Sequence, residues 1–343
     1  MKVVLFFTGL GKRGGISPDV HHLATAFRQE GIHPKVTGNL IDLLRSNSGR
    51  GTVVNVYGCL PSVKTLGAML LARVRGQRLV WTPVFHPRRR VIWKGTGPYR
   101  IMALFDRVAP RIARITHAVS AATVEEAKFF AAMGAPQVNV IPLVVSETHR
   151  RLEGKDRTTA RRNLGLGDEP TVLLIASHSP RRKGMAFASN VLAGLRIKLP
   201  QVAFLVVGGG DLGALAAQPG VKAVGWCEDD QLLNAYRSAD ILFVPSRYEQ
   251  FSRATIEAWA CELPVVLSDG VALAPIAESS RAGIVVPFDD VSAATVALAE
   301  VLTSEEWRLH AGRRGRELVE DCFLRDGHLR ATLSLYQAAG WLR

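Results

Sequence analysis

The chain has 343 residues, 48% of them apolar and 21% charged, a make-up that excludes a disordered chain and suits two packed cores of roughly 150 residues each. Its formal net charge of +13 directs it toward polyanions: nucleic acid, an anionic membrane surface or phosphorylated substrates. Cys59, Cys227, Cys261 and Cys322 are scattered, with no CxxC pair and no His at ligand spacing, so neither a disulfide framework nor a zinc site is expected and a reducing cytoplasm fits.

The opening MKVVLFFTGLG reads as a buried strand, since it has no long apolar h-region and no small-residue cleavage site. No apolar stretch reaches the roughly 18–20 residues that span a bilayer, so no transmembrane helix is expected. Short β-branched runs then alternate with longer amphipathic segments, the rhythm of βα units on parallel sheets. Strands are expected at 3–7, 53–57, 79–82, 116–119 and 138–141, and Ser17 is placed to cap a helix with Pro18 at its first position. The charged stretch SETHRRLEGKDRTTARR over 146–162 holds no strand and reads as a linker running into a surface helix. A second series follows, at 172–176, 203–207, 223–224, 241–244, 265–267 and 284–286, and the chain closes with helical segments at 304–319 and 324–339. These elements make an α/β protein of two doubly wound, Rossmann-like domains, 1–150 and 151–320, with a last helix over 321–343. Ligands in such folds gather at the carboxyl ends of the strands, so a cleft between the domains is the expected site.

Candidate functional residues lie on the loops that leave those ends. Gly14 and Gly15 sit in a GKRGGI turn after the first strand, where backbone amides can approach a phosphate closely; an ordinary βα turn reads the same way. His86 follows the strand at 79–82 and can orient a ligand or simply pack. Beyond it, Arg88, Arg89, Arg90, Lys94, Arg100, Arg107, Arg111 and Arg114 interleave with apolar residues such as Met102, Phe105 and Val108. The 88–114 segment thus suits either a helix lying on an anionic membrane or an amphipathic helix packed on its own sheet. After the strand at 172–176 comes Ser177-His178-Ser179-Pro180-Arg181-Arg182-Lys183-Gly184, cations that would compensate a diphosphate or form a solvated basic loop. Trp226 closes the strand end AVGW.

The densest pattern is YEQFSRATIEAWA. A buried strand at 241–244 runs into a loop holding Glu249, Gln250, Phe251 and Ser252, and the following helix carries Glu257 on its second turn, so both carboxylates can face one ligand. Carboxylates so placed read vicinal hydroxyls of a sugar or ribose; singly, each is also an ordinary loop or helix charge.

This segment resembles the Glu-x7-Glu signature of retaining glycosyltransferases of the GT-B family known as GT4, E-G-F-G-x-x-x-x-E-A-M-A-x-G-x-P-V-V. The matching residues are Glu249, Phe251, Glu257, Ala258, Ala260, Pro264, Val265 and Val266, while Gln250, Ser252, Trp259 and Glu262 depart from it. The resemblance implies a GT-B architecture, an acceptor-binding first domain, a nucleotide-sugar-binding second domain and a last helix crossing back to the first. It implies that Glu257 holds the donor ribose, that Glu249 and the amides of Phe251 and Ser252 meet the transferred sugar, and that Lys183 with Arg181 or Arg182 neutralises the diphosphate. The family has an Arg where His178 stands. It places the Gly14-Gly15 turn beside the donor phosphates, a histidine such as His86 near the sugar, and Trp226 on the nucleotide base. Retention of configuration without a metal or other cofactor is implied, with a UDP- or GDP-linked sugar as co-substrate, no protein nucleophile, and a glycan or lipid-linked acceptor in cell-surface polysaccharide or lipopolysaccharide synthesis. Charge and location together suggest a cytoplasmic protein, peripheral on the membrane. A nucleotide-sugar epimerase of the same fold is the rival enzyme reading. A basic nucleic-acid-binding protein is the other alternative, although no helix-turn-helix, RNP or zinc-finger pattern supports it and no nucleic acid is expected as a partner.

Overall fold

The computed structural model describes residues 2–9, 17–46, 49–58, 62–83, 99–145, 154–177 and 179–341, without the side chains of 17–18, 99–106 and 154–156. The chain forms two compact units, Met1–Val144 with Arg325–Arg343, and Val145–Leu324. The boundaries thus fall a few residues from 150 and 320. Local hydrogen bonds explain where they fall: the Val145 amide donates to Phe323 O at 3.1 Å within the second unit, and His328 Nδ1 bonds Pro142 O at 2.7 Å within the first.

In the first unit the strands are β1 (Lys2–Phe7), β2 (Lys35–Thr37), β3 (Thr52–Tyr57), β4 (Arg78–Thr82), β5 (Ala118–Ala121) and β6 (Val138–Val140). All pair in parallel, in the order β2-β1-β3-β4-β5-β6. Their helices are α1 (Ser17–Gln29), α2 (Leu40–Arg45), α3 (Val63–Val74), α4 (Tyr99–Ile115), α5 (Val124–Ala132) and the late α14 (Arg325–Ala338). One face of the sheet packs residues of α2 to α5, among them Leu43, Met69, Ile112 and Phe130. The other face packs α1 and α14 through Leu23, Phe27, Leu335 and Tyr336. Tyr336 is tied in chemically as well, because Asn55 Nδ2 donates to its hydroxyl at 3.0 Å while Thr82 Oγ1 donates to Asn55 Oδ1 at 2.9 Å. β2, only three residues long, has too short a run for periodicity to reveal it and was not among the expected strands.

The second unit repeats the plan with β7 (Thr171–Ile175), β8 (Ala203–Val207), β9 (Val221–Gly225), β10 (Ile241–Val244), β11 (Val265–Ser268) and β12 (Gly283–Val286), ordered β12-β11-β10-β7-β8-β9 and again parallel. Its helices are α6 (Gly154–Asn163), α7 (Pro180–Lys183), α8 (Met185–Lys198), α9 (Asp229–Ser238), α10 (Arg253–Ala260), α11 (Ala274–Ser279), α12 (Val291–Thr303) and α13 (Glu305–Cys322). Side-chain caps set several starts: Asp290 accepts from the Ala293 amide at 2.9 Å, and Ser304 from the Trp307 amide at 3.3 Å. The helix α6 is more than a surface element, since Arg161 is buried and donates to the carbonyls of Ser238, Gly167 and Glu169. Among the described residues no helix is long and apolar enough to cross a membrane.

The described part of α4 resolves one of the two readings of the 88–114 segment. Ala109, Ile112 and Ala113 are buried in the core, with Val108 and Ile115 packed against it, while Arg107, Arg111 and Arg114 are exposed. Over 107–115 the apolar side therefore faces the sheet rather than a lipid surface. Residues 88–98 lie outside the described residues.

Candidate functional site

In the second unit the chain builds β7, β8 and β9 outward on one side, then returns to add β10 on the other side of β7. The strand order reverses between β7 and β10, and the loops leaving their carboxyl ends diverge there, the position at which open α/β sheets bind ligands. The segment after β7 leads into α7, which carries Arg181, Arg182 and Lys183 and ends at Gly184, and the loop after β10 carries Glu249.

Two backbone features clip these loops together. Gly184 has φ +68°, and a Cβ there would lie 1.8 Å from Pro245 O, so only glycine permits the approach. Beside it the Arg247 amide donates to Arg182 O at 2.8 Å. The clip brings Arg182 Nη1 within 2.8 Å and Lys183 Nζ within 2.7 Å of the same oxygen, Glu249 Oε1. Ser246 Oγ donates to that oxygen at 3.1 Å. The Glu249 backbone is fixed in turn, its amide donating to Gly270 O and its carbonyl accepting from Ala272, both at 3.0 Å. Burial raises the Glu249 carboxyl, but Lys183 and Arg182 outweigh it and hold the group below the ordinary carboxylate value. Two cations facing one carboxylate leave a surplus positive charge for a multiply charged anion. Arg181 is exposed on the same short helix.

Glu257 stands on α10, the helix that follows. Tyr236 of α9 donates its buried hydroxyl to Glu257 Oε2 at 2.7 Å, and Arg253 Nη2 lies 3.5 Å from Oε1. Burial, then the Glu257 charge, pushes the Tyr236 phenol well above its ordinary value, so it remains a donor at neutral pH. Between the two glutamates, Gln250 is half-buried and Phe251 is buried with its ring edge on Phe323, centroids 5.9 Å apart. Phe251 therefore anchors the loop with its ring and leaves only its backbone for a ligand. Ser252 bonds Thr255 through their hydroxyls at 2.8 Å.

The departures from the glycine pattern acquire a physical meaning here. Ser252 has φ 66° and Glu262 φ 54°, so two positions where the GT4 pattern carries glycine keep the left-handed backbone that favours glycine, now with side chains attached. Both positions are therefore strained. At the far side of the sheet, Trp226 follows β9 with its ring partly exposed. Its Nε1 lies so close to Gly209 that a Cβ there would be 1.9 Å away, which keeps the indole down on the β8 turn.

His86, His178, Gly14 and Gly15 lie outside the described residues. The residues not foreseen in the sequence are Tyr236, Ser246 and the Gly208-Gly209-Gly210 turn. The glycine run was itself a signal of close backbone approach; Tyr236 left none, because it reaches Glu257 from 21 positions away.

Residues 169–304 match the family described as glycosyl transferases group 1. The matched residues all lie within the second unit. Its two six-stranded parallel sheets with flanking helices match the GT-B fold. One relative is the phosphatidyl-myo-inositol mannosyltransferase of Mycolicibacterium smegmatis, 33% identical over 155 residues, which are 43% of this chain and 40% of that one. The chain thus spans about 40% of the length of the curated relatives it matches first. Sucrose-phosphate synthase from Thermosynechococcus elongatus shares the fold at a TM-score of 0.81 and 20% identity, covering 98% of both chains. Anabaena Alr3699/HepE in complex with UDP-glucose shares it at a TM-score of 0.79 and 16% identity, covering 98% of this chain and 100% of that one.

Proposed function

We propose that the chain is a glycosyltransferase that moves a sugar from a nucleoside-diphosphate sugar to a hydroxyl of a glycan or glycolipid acceptor, with retention of configuration and without a metal. The observation that carries this reading is the convergence of Arg182 and Lys183 on Glu249 at the β7/β10 switch point, with Glu257 on the next helix. Lys183 and Arg182 neutralise the diphosphate and stabilise the charge it gains as the bond from the sugar C1 to its phosphate oxygen breaks. The acceptor oxygen bonds C1 from the face the diphosphate leaves, and the acceptor proton passes to the leaving phosphate. Glu257 accepts from the ribose hydroxyls, Glu249 from the sugar, and the Phe251 and Ser252 amides line the same loop. Trp226 packs on the base, and Gln250, Arg181 and His178 border the donor. The resemblance to GT4 enzymes assigns His86 and the Gly14-Gly15 turn to the donor or acceptor.

A UDP-linked donor is supported by the UDP-glucose held in the Alr3699/HepE structure, and a lipid-linked acceptor by the relative named for phosphatidyl-myo-inositol. We place the enzyme in cell-surface polysaccharide or lipopolysaccharide synthesis, in the cytoplasm and peripheral on an anionic membrane. A thermal-shift panel of UDP, GDP, ADP and their sugars tests the donor site. The wild type is expected to be stabilised by one nucleotide series, with the response weakened in Glu257→Ala and Lys183→Ala. No stabilisation of the wild type, or undiminished responses in both variants, overturns it.

A further inference from the structure

Five of the twelve exposed large apolar side chains among the described residues fall on the adjacent helices α2 and α3 of the first unit: Ile41, Leu44, Val63, Leu70 and Val74, from 46% exposed at Leu70 to 87% at Val74. On α3 the positions 63, 70 and 74 recur at seven and four residues and share one side of the helix, opposite Thr65, Ala68, Met69 and Ala72, which are buried. The two helices form one platform, because Arg75 donates to the carbonyls of Leu43, Leu44 and Ser46 at 3.1, 2.9 and 3.0 Å.

The exposed charges described on these two helices have one sign. Arg45, Lys64 and Arg73 are exposed on the same helices. Asp42, their single acid, is half-buried and accepts from Thr37 at 3.3 Å. The helix α4 packs into the same core cluster and adds exposed Arg107, Arg111 and Arg114. Aliphatic side chains flanked by exposed cations, with no exposed acid among the described residues of α2, α3 and α4, complement one kind of partner, a surface that is apolar below and anionic at its edge.

We propose that the α2–α3 face docks on an anionic lipid bilayer, with Leu44, Val63, Leu70 and Val74 entering the interface and Arg45, Lys64 and Arg73 meeting lipid phosphates. It deepens the membrane part of the proposed function and moves the apolar contact from α4 to α2–α3. The donor reading does not depend on it.

Co-sedimentation of the full chain with phosphatidylglycerol–phosphatidylcholine vesicles, against pure phosphatidylcholine, tests the face. The wild type is expected to bind the anionic vesicles alone, and more weakly in high salt. Leu44→Ser with Val74→Ser should weaken that binding about tenfold, and Arg45→Glu with Lys64→Glu should abolish it, both with unchanged melting temperature and unchanged nucleotide response. Should the first pair fail to fold, Val63→Ser with Leu70→Ser carries the same expectation. Absence of wild-type binding to anionic vesicles, or wild-type binding by the apolar variants, overturns the proposal. So does a wild-type dimer in sedimentation velocity that Leu44→Ser with Val74→Ser turns into a monomer, since a second copy would then cover the face. A missing nucleotide response with intact vesicle binding would refute the donor site and leave this surface standing.

Discussion

The Tyr236 hydroxyl reaches Glu257 Oε2 at 2.7 Å from a different helix, so the carboxylate assigned to the ribose is aimed by a phenol that cannot ionise at working pH. Phe at 236 removes one oxygen from a buried position and little else. A hydrogen bond to a charged acceptor contributes about 1.5 kcal/mol, close to tenfold in affinity. Tyr236→Phe is therefore expected to weaken nucleotide binding about tenfold by calorimetry. The loss should vanish when the same measurement uses a nucleotide lacking its ribose hydroxyls, or when it is made in a Glu257→Gln background. A loss that persisted in both would mean that Tyr236 acts on general packing instead.

Glu249 carries a pH signature. Its folded carboxyl lies below the ordinary value of 4.5, so the unfolded state takes up protons first as pH falls. The stability it contributes is complete above about 4.5 and is lost as pH drops through the folded value. Glu249→Gln leaves Arg182 and Lys183 facing each other without a carboxylate. It is expected to lower stability by about 2 kcal/mol at pH 7, with the gap from wild type narrowing below pH 4. Urea midpoints at pH 7, 4.5 and 3.5 measure this, and a gap independent of pH contradicts the ion-pair account.

Two backbone positions should respond in opposite directions. Gly184→Ala places a methyl against Pro245 O at φ +68°. It is expected to cost about 2 kcal/mol or more and to reduce nucleotide response by loosening the clip between Lys183 and Glu249. Glu262→Gly relieves a left-handed glutamate at φ 54° and is expected to raise the melting temperature by about 2 °C. Calorimetric melting of both variants decides, and equal signs would refute the strain argument.

His328 gives the first unit an acid limb of its own. Its imidazole is pushed down from 6.5 chiefly by burial, and His117 shifts in the same direction. A folded value below the unfolded one means that stability is complete above about 6.5 and declines as pH falls toward the folded value. His328→Asn can keep a donor for Pro142 O without titrating. The melting temperature of this variant is expected to fall less than that of the wild type between pH 7 and pH 5; parallel curves would exclude His328 as a source of the slope.

The alternation of β-branched runs with amphipathic segments made the two parallel sheets legible, because strand and helix periods are local properties of ten or fifteen residues. Glu249 and Glu257 were legible for the same reason, since seven intervening residues join a loop to a helix turn in one continuous stretch. Exposure of the α2–α3 face was not, because α4 carries the more strongly amphipathic pattern and only the packing shows that its apolar side is covered over 107–115.

What the sequence by itself determined about this chain is therefore its βα rhythm, the likeness of its second unit to glycosyl transferases group 1 and the two carboxylates at the centre of the candidate site. Only the tertiary structure decided what those carboxylates touch. Arg182 and Lys183 meet Glu249 because the strand order reverses between β7 and β10, and Tyr236 meets Glu257 because α9 and α10 pack together. Such pairings join residues that are distant in the chain, and no local period encodes them. The left-handed Ser252 and Glu262 make the same point: a side chain can replace glycine in the sequence while the surrounding sheet still imposes the backbone that glycine would have chosen.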